Sequence, residues 1–341
     1  MKEFDLHYQA EKEPEKKERY GNWATAKGLQ QVDGLETSAY LDKVATDSIE
    51  GRISAYEAIK LVDSYYEVKG DREAERQYEE ADKVAARINA IISETGFTLC
   101  PEELQQIHQR LFGGVFSHAG QFRTLNFIKR EWVLDGGTVT YGDFHYIRES
   151  LERYVKREKS LRYASMDEEE AVYHLARFVS DIWQIHPFNE GNTRSVAVFA
   201  IKYFRSLGYE VDNTAFHEHS WYFRNALVRA NYTSVSKKVD ADLSYLEGFL
   251  SSVLLGKAGE FHNRDIHIYA IPHAQTKTGV ELNKAIVKEI KANATITRDE
   301  LAQKFNTSRK TIERHLKEMG VYFEGPAKAG HWVLGKSEEI M

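Results

Sequence analysis

The chain has 341 residues, a length that predicts two or three folding units. Its formal net charge of -6 and its pI near 6.1 exclude a protein that coats nucleic acid through a global basic field. Its single cysteine, Cys100, excludes an intrachain disulfide and a cysteine zinc site and favours a reducing cytoplasm. No apolar signal-peptide core and no stretch of membrane-spanning length is present, so no membrane contact is expected.

The first predicted elements are helices behind a charged start. Residues 1–20 are mostly charged and predict a solvated tail. Apolar residues then recur three and four apart from Thr37 and predict an amphipathic helix that ends near Gly51. Ser54 and Glu57 have the spacing of a capping box and predict the start of a second helix. Together these two helices indicate a helical hairpin.

The residue composition changes in the middle of the chain. Helical patterns cover residues 73–92 and 101–112, but residues 124–141, TLNFIKREWVLDGGTVTY, are rich in β-branched and aromatic residues around Asp-Gly-Gly. This pattern predicts a β-hairpin within an otherwise helical region.

The C-terminal part has the order of a winged helix. After weak periodicity over 258–278, which predicts a linker or a small packing element, three helices and two short strands follow in 279–341. The third helix presents three cations, as a DNA-recognition helix would: Arg309, Lys310 and Arg314. Winged helices also bind proteins, so DNA and protein partners both stay open.

The segment with the strongest chemical pattern is HPFNEGNTR, residues 186–194, between two helical runs. His186 begins this loop and can act as a general base near neutral pH. Gly191 permits a tight turn that leaves backbone amides at the amino end of the next helix, where an anion binds.

Polar side chains add to that anion site. Asn192 and Arg194 supply further donors, and Glu190 supplies the carboxylate that a phosphate-bound magnesium ion needs. A base, a metal ligand and a phosphate cradle therefore fall within nine residues.

This loop resembles the signature of the Fic family (filamentation induced by cAMP), HxFx(D/E)GNGRxxR. IHQRLF at 107–112 and AGQFRTLN at 119–126 are similar to segments upstream of that signature, and the resemblance covers roughly residues 75–255. It implies a mainly α Fic fold with a β-hairpin flap. It also implies transfer of a nucleotide monophosphate, usually AMP from ATP with Mg2+, to a Ser, Thr or Tyr hydroxyl of a target protein.

Carried over by position, the resemblance implies a role for each matching residue. His186 would take the proton from the target hydroxyl, and Glu190 would bind magnesium. Four loop residues would hold the phosphates: Gly191, Asn192, Thr193 and Arg194. The flap would clamp the target backbone by strand addition, through Asn126, Ile128, Lys129 and Trp132. The helical segment 221–232 is similar to the family's helix near the nucleotide base, which implies base contacts from Tyr222 and Asn225.

Two positions depart from the signature. Thr193 replaces its second glycine, and relatives with a larger residue there can bind the nucleotide reversed and act as kinases. Ala197 replaces its second arginine, which normally holds the γ-phosphate. A kinase or another nucleotidyl transferase is therefore an alternative to AMP transfer.

An inhibitory pattern is also present. TDSIEG at 46–51 matches the family pattern (S/T)xxxE(G/N) through Thr46, Glu50 and Gly51. The match implies that Glu50 enters the γ-phosphate site and, with alanine at position 197, pairs with Arg194 or a backbone donor. The other interpretation is a helix that simply ends at Gly51.

The predicted organisation is a tail (1–20), an antitoxin-like inhibitory region (21–72), a Fic core (73–257), a linker (258–278) and a winged helix (279–341). The predicted function is that of a cytoplasmic protein adenylyltransferase autoinhibited by Glu50. The alternative is a DNA-binding transcriptional regulator whose Fic core senses nucleotide. The sequence leaves open whether the protein is a monomer or a homo-oligomer.

Overall fold

The computed structural model of the chain describes residues 15–67, 73–211, 213–269, 279–305, 309–325 and 330–333. The chain divides into two compact units, Met1–Ile268 and Tyr269–Met341. Within the described residues the regular structure is almost entirely helical, as the sequence predicts, and the sheet found there has two strands. In this part of the chain no helix has both the length and the apolar character needed to cross a membrane.

The first unit packs its helices around one continuous apolar core. Its described helices are α1 Lys16–Gly28, α2 Ala39–Ile49, α3 Ala55–Glu67, α4 Glu79–Ser93, α5 Pro101–Phe112, α6 Ile147–Lys159, α7 Glu168–Ile185, α8 Asn192–Ser206, α9 Asn213–Ala230, α10 Ser244–Leu255 and α11 Asn263–Ile266.

A helix that the sequence did not predict precedes the hairpin. Helix α1 starts at Lys16, inside the segment predicted to be a tail, and it buries Trp23 almost completely. Its charged residues contact the end of α2: Lys16 forms an ion pair with Glu50 at 2.7 Å, and Arg19 donates from Nε to the carbonyl of Ile49 at 2.9 Å. The charged residues from Lys16 onward therefore do not form a solvated tail, because Lys16 and Arg19 bind polar groups at the carboxyl end of α2. Residues 1–14 of the predicted tail lie outside the described residues.

The predicted helical hairpin is confirmed as α2 and α3. The capping box is present, since Glu57 Oε2 accepts from the Ser54 amide at 2.7 Å and Ser54 Oγ accepts from the Glu57 amide at 3.2 Å. Gly51, with φ +73°, turns the chain between the two helices.

The predicted β-hairpin at 124–141 is not a pair of regular strands. One isolated antiparallel bridge joins Glu131 to Gly137, and a 3-10 turn covers Trp132–Leu134. Val133 and Leu134 are consecutive and both fully buried. A regular strand turns successive side chains to opposite faces, so it could not bury both against one core. We call residues 126–141 the flap.

Part of the predicted linker packs on the first unit. Residues 258–268 include helix α11, which buries Ile266, and the Ile268 amide donates to the carbonyl of Val133 in the flap at 2.9 Å. Of the two interpretations left open for this stretch, a linker or a small packing element, this geometry agrees with the packing element. Residues 270–278 lie outside the described residues.

The second unit has the predicted three helices and two strands. They are α12 Gly279–Ala292, α13 Arg298–Lys304, α14 Arg309–Glu318, β1 Tyr322–Glu324 and β2 His331–Val333. The strands pair antiparallel, with Phe323 opposite Trp332. Trp332 is buried and donates from Nε1 to the carbonyl of Ile296 at 2.7 Å, which ties the hairpin to the loop before α13. Thr297 and Glu300 form a capping box at the start of α13.

Candidate functional site

The HPFNEGNTR segment forms a tight loop between α7 and α8. Helix α7 ends at Ile185, as predicted, and His186 follows in the left-handed region with φ +51°. Gly191, with φ +70°, precedes α8, and a Cβ added there would lie 2.4 Å from the ring of Phe112. The position therefore requires glycine for both its backbone angle and its space.

The imidazole of His186 lies under the flap and is 4% exposed. Its ring stacks on Tyr141 with centroids 4.1 Å apart and meets Trp183 edge-on. Nδ1 lies 3.2 Å from the carbonyl of Trp183, so Nδ1 must carry the donated proton. In the neutral ring the lone pair is then on Nε2, the form that a general base needs.

The surroundings of His186 keep it neutral. Burial, and after it the positive charge of Lys129, lowers the pKa of His186 well below its usual range. Arg123 and Arg224 lower it further. The ring is therefore an unprotonated proton acceptor at neutral pH.

Two residues shape the loop rather than its chemistry. Phe188 is fully buried and stacks on His108 with centroids 3.7 Å apart. Asn192 accepts from the Phe188 amide at 2.9 Å and donates to the Phe188 carbonyl at 2.7 Å. The loop thus uses both ends of the Asn192 amide, and the prediction that this side chain holds phosphate is not supported.

His108, which no sequence pattern indicated as a site residue, positions the same loop. Its Nδ1 accepts from the Gly120 amide at 2.8 Å, so Nε2 donates to the carbonyl of Glu190 at 3.1 Å. Burial lowers the pKa of His108 to about 4, which keeps this single neutral tautomer. The sequence does contain a signal for His108, because this histidine belongs to IHQRLF, one of the segments that resemble the Fic family. The resemblance gave the histidine itself no role.

The side chain of Thr193, in the first turn of α8, contacts helix α7. Its Oγ1 accepts a hydrogen bond from Trp183 Nε1 at 3.0 Å, and the side chain is buried. No side chain caps the amino end of α8. The backbone amides at this helix end can therefore still receive an anion.

A cavity of about 620 Å³ opens beside the loop. Its lining combines an apolar wall with both signs of charge: Val32, Asp33, Gly34, Leu35, Glu80, Phe116, Lys129, Glu190, Arg194, Trp221 and Arg224. Two predicted loop residues, Glu190 and Arg194, are thus brought together with Lys129 of the flap. His186 itself does not line the cavity, although the charges of two lining residues reach it.

Arg194 is buried among acceptors from distant parts of the chain. Its Nε forms an ion pair with Asp33 at 2.8 Å, its Nη2 contacts Glu80 at 2.7 Å, and its Nη1 donates to Gln30 at 3.1 Å. The guanidinium also lies over the ring of Phe112. Any phosphate that binds Arg194 has to share it with, or displace, these two carboxylates.

Glu50 is not in this site, which corrects the predicted inhibitory contact. Its carboxylate lies at the end of α2 and pairs with Lys16, and that contact lowers the pKa of Glu50. Thr46 donates from Oγ1 to the Asp42 carbonyl at 2.7 Å, and Gly51 forms the helix stop. The alternative interpretation of TDSIEG as a helix end agrees with this geometry.

The base of the flap is held by Arg123. This buried side chain donates to the carbonyls of His186 at 2.7 Å and Leu125 at 2.8 Å, and also to that of Gly142. It further donates to Oδ1 of Asn126 at 2.9 Å. Asn126, predicted to bind the target, is therefore also part of the flap's attachment.

Along the flap, side chains alternate between two sides. Ile128 is 78% exposed and Arg130 is exposed, whereas Lys129 lines the cavity and Glu131 is buried. Trp132 is 52% exposed. Ile128 and Trp132 thus face solvent, where a target could contact them.

A buried ion pair, which the sequence did not predict, attaches the flap to α9. Glu131 and Arg224 pair bidentately at 2.7 and 2.9 Å, and both side chains are almost fully buried. Arg224 also lies over the ring of Trp221.

The two residues of α9 that were predicted to contact the nucleotide base do not line the cavity. Tyr222 is buried against Phe261, and Asn225 donates to Asn263 at 2.7 Å, so neither lines the cavity. Their preceding neighbours, Trp221 and Arg224, line it instead. A shift of one residue turns a helix by about 100°, which exchanges one face for another.

In the second unit, Arg309 begins α14 and is already paired. It contacts Asp299 at 3.2 Å and Glu313 at 3.1 Å. Lys310 and Arg314 lie on the same helix, but their side chains are outside the described residues. Two carboxylates on Arg309 reduce the positive charge available to a DNA phosphate.

Family models match a segment in each of the two units. The Fic/DOC family model matches residues 98–204, and a winged helix-turn-helix DNA-binding model matches residues 281–320. A curated relative, the protein adenylyltransferase VbhT of Bartonella schoenbuchensis, is 26% identical over 170 residues. This match covers 46% of the chain and 34% of VbhT, so the chain spans about a third of the length of that relative.

Solved Fic structures are also similar to the chain. The N-terminal Fic domain of a Bartonella effector protein, from Bartonella sp. AR 15-3, is 18% identical with a TM-score of 0.41, covering 55% of this chain and 84% of that one. A Fic family protein from Desulfovibrio desulfuricans G20 is 13% identical with a TM-score of 0.46, covering 94% and 88%.

Proposed function

We propose that this chain, whose residues 98–204 form a Fic/DOC domain as its loop motif predicted, is a cytoplasmic protein adenylyltransferase that moves AMP from ATP to a Ser, Thr or Tyr hydroxyl of a target protein. The observation that carries the proposal is the neutral His186, with its free lone pair on Nε2, beside a cavity that holds Glu190 and Arg194 at the amino end of α8. A general base and an anion site are the two requirements of this reaction.

The reaction divides among the chain's own groups as follows. Nε2 of His186 takes the proton from the target hydroxyl, and that oxygen bonds to the α-phosphorus of ATP. The bond from this phosphorus to the bridging oxygen breaks, and pyrophosphate leaves. The amides at the start of α8 and the Arg194 guanidinium stabilise the negative charge on the phosphates, because a helix amino end and a guanidinium both attract anions.

The residues present fit a magnesium ion bound together with the nucleotide. Glu190 is an exposed carboxylate on the cavity wall. Within the described part of the chain no group of three or more His, Cys, Asp or Glu side chains forms a complete metal site. Magnesium in nucleotide sites is held by one or two carboxylates together with substrate phosphates, so Glu190 would hold it. When bound, the ion neutralises phosphate charge.

Two features bear on which phosphate is transferred. Thr193 points to Trp183 and leaves the helix end uncrowded, which favours the AMP-transferring orientation of the nucleotide. Ala197 is fully buried, so the arginine that normally holds the γ-phosphate has no substitute at that position. The kinase alternative therefore rests on the missing arginine more than on Thr193.

ATP labelled separately at the α- and the γ-phosphate tests the proposal. The full chain, incubated with Mg2+ and a cell extract that supplies targets, is expected to transfer label from α-labelled ATP and not from γ-labelled ATP. Label transferred only from the γ position would instead show a kinase.

A second candidate function is DNA binding by the second unit, favoured by the match of residues 281–320 to a winged helix-turn-helix DNA-binding model. In this function the Fic domain would sense nucleotide and the winged helix would act on transcription. A gel shift with the full chain and duplex DNA tests it, since phosphate contacts weaken as salt rises. An unshifted duplex at about 50 mM salt, where such contacts are strong, would exclude this candidate.

A further inference from the structure

Three cations line the cavity, and two of them are already neutralised. Arg194 contacts the carboxylates of Asp33 at 2.8 Å and Glu80 at 2.7 Å. Arg224 pairs bidentately with Glu131 at 2.7 and 2.9 Å. A nucleotide triphosphate carries several negative charges, so these paired guanidinium groups leave much of that charge unbalanced.

Lys129 is the third cation, and its state differs. It lines the same cavity as Arg194 and Glu190. Among the residues that the structure describes, no carboxylate, carbonyl or hydroxyl contacts its ammonium group within hydrogen-bond or ion-pair distance. Its positive charge is close enough to His186 to lower the pKa of that imidazole. A free ammonium group therefore lines the cavity that contains Arg194 and Glu190, and its charge also acts on the base.

The geometry of the flap directs Lys129 inward. Its neighbours Ile128 and Arg130 are exposed on the opposite side, and Glu131, two residues on, is buried. Such alternation is that of extended backbone, in which successive side chains point to opposite sides. The inward position separates Lys129 from the solvent-facing residues that could contact a target.

We propose that Lys129 binds the phosphates of the nucleotide and so supplies, from the flap, the positive charge that the loop motif lacks at Ala197. The inference rests on the proposed function, because it requires a polyphosphate in the cavity. The family resemblance predicted that Lys129 contacts the target protein. The inference assigns Lys129 to the nucleotide instead. The substrate class it specifies is a nucleoside polyphosphate rather than a nucleoside.

Calorimetric titration of the full chain with ATP and with adenosine, both in the presence of Mg2+, tests the inference. Lys129→Met is expected to weaken ATP binding about tenfold or more, the usual effect of losing one hydrogen bond to a charged group, and to leave adenosine binding unchanged. Lys129→Arg should restore ATP affinity, because it returns the charge to the same position.

Arg130→Met is the matched control, since it removes one positive charge from the adjacent, outward-facing position. It should leave ATP affinity unchanged. Equal weakening by Lys129→Met and Arg130→Met would overturn the inference, because general surface charge would then account for the effect. Melting temperatures of all variants identify any loss of folding, and Lys129→Arg serves as the folded positive control.

The failure of the inference can be distinguished from the failure of the proposed function. Wild-type ATP binding with no change in Lys129→Met would overturn the inference alone and leave the adenylyltransferase proposal standing. A Lys129→Met variant with unchanged ATP affinity and a raised KM for the protein target would return Lys129 to target binding. Absence of ATP binding by the wild-type chain would overturn both.

Discussion

His186→Ala is expected to reduce transfer of label from α-labelled ATP by about 10²- to 10⁴-fold, the usual contribution of a positioned general base. The physical reason is that the Nδ1 contact with the Trp183 carbonyl leaves the lone pair on Nε2, and alanine has no proton acceptor to replace it. The measurement is the initial rate of labelling by the full chain, with circular dichroism to show that the variant is folded.

His145→Ala is a suitable control for this variant. His145 is an exposed histidine that pairs with Asp143 near the flap, so its loss should leave the labelling rate unchanged. If His186→Ala labels as fast as the wild type, the loop between α7 and α8 does not supply the base.

The same histidine determines the pH dependence of the wild type. Neutral His186 is the active form, and burial holds its pKa well below the ordinary histidine value of about 6.5. The ring therefore loses its proton at a lower pH than an exposed histidine does. We expect no loss of rate from this group between about pH 7 and 6, with the acid decline only below that range. A rate that halves near pH 6.5 would contradict the assignment.

The second large effect concerns stability. Glu131→Ala leaves Arg224 buried without its partner, and removing one member of a buried ion pair costs about 3–5 kcal/mol. For a unit of this size, that loss corresponds to a fall in melting temperature on the order of 10 °C. Differential scanning calorimetry of the full chain measures it. The unit Met1–Ile268 is the one expected to melt earlier.

The double variant Glu131→Leu, Arg224→Met separates the ion pair from simple packing. Because it leaves no buried charge, its stability loss should be smaller than that of Glu131→Ala. Glu102→Ala, which removes an exposed pair with Arg148, should change the melting temperature little. Additive losses in the double variant would show that the pair does not act as a unit.

Local structural features could be predicted from the sequence alone. The end of α7 at Ile185, the glycine turn at Gly191 and the two capping boxes all follow from interactions between residues a few positions apart. The order of three helices and two strands in the second unit could also be predicted from the sequence. Such features are decided by backbone geometry and by nearby donors and acceptors, which the sequence contains directly.

The flap shows that residue composition alone did not predict the backbone structure of this segment. Its β-branched and aromatic composition predicted strands, but Val133 and Leu134 are both buried in the same core, and a single bridge is all that remains of the hairpin. Strand propensity reflects how a residue fits its surroundings, so packing against the helices overrode it.

The sequence by itself therefore determined the loop, its turn and the identity of His186, Glu190 and Arg194 as candidates. Only the tertiary structure decided which groups meet them. Asp33 and Glu80 reach Arg194 across more than a hundred residues of chain, while Glu50, which the inhibitory pattern selected, lies on Lys16 instead. Motifs specify residue types at short spacing, but the partner of a buried charge depends on which helices pack together and at what rotation. That rotation is set by the whole core, and one residue of helical register was enough to place Trp221 and Arg224, rather than their neighbours, on the cavity wall.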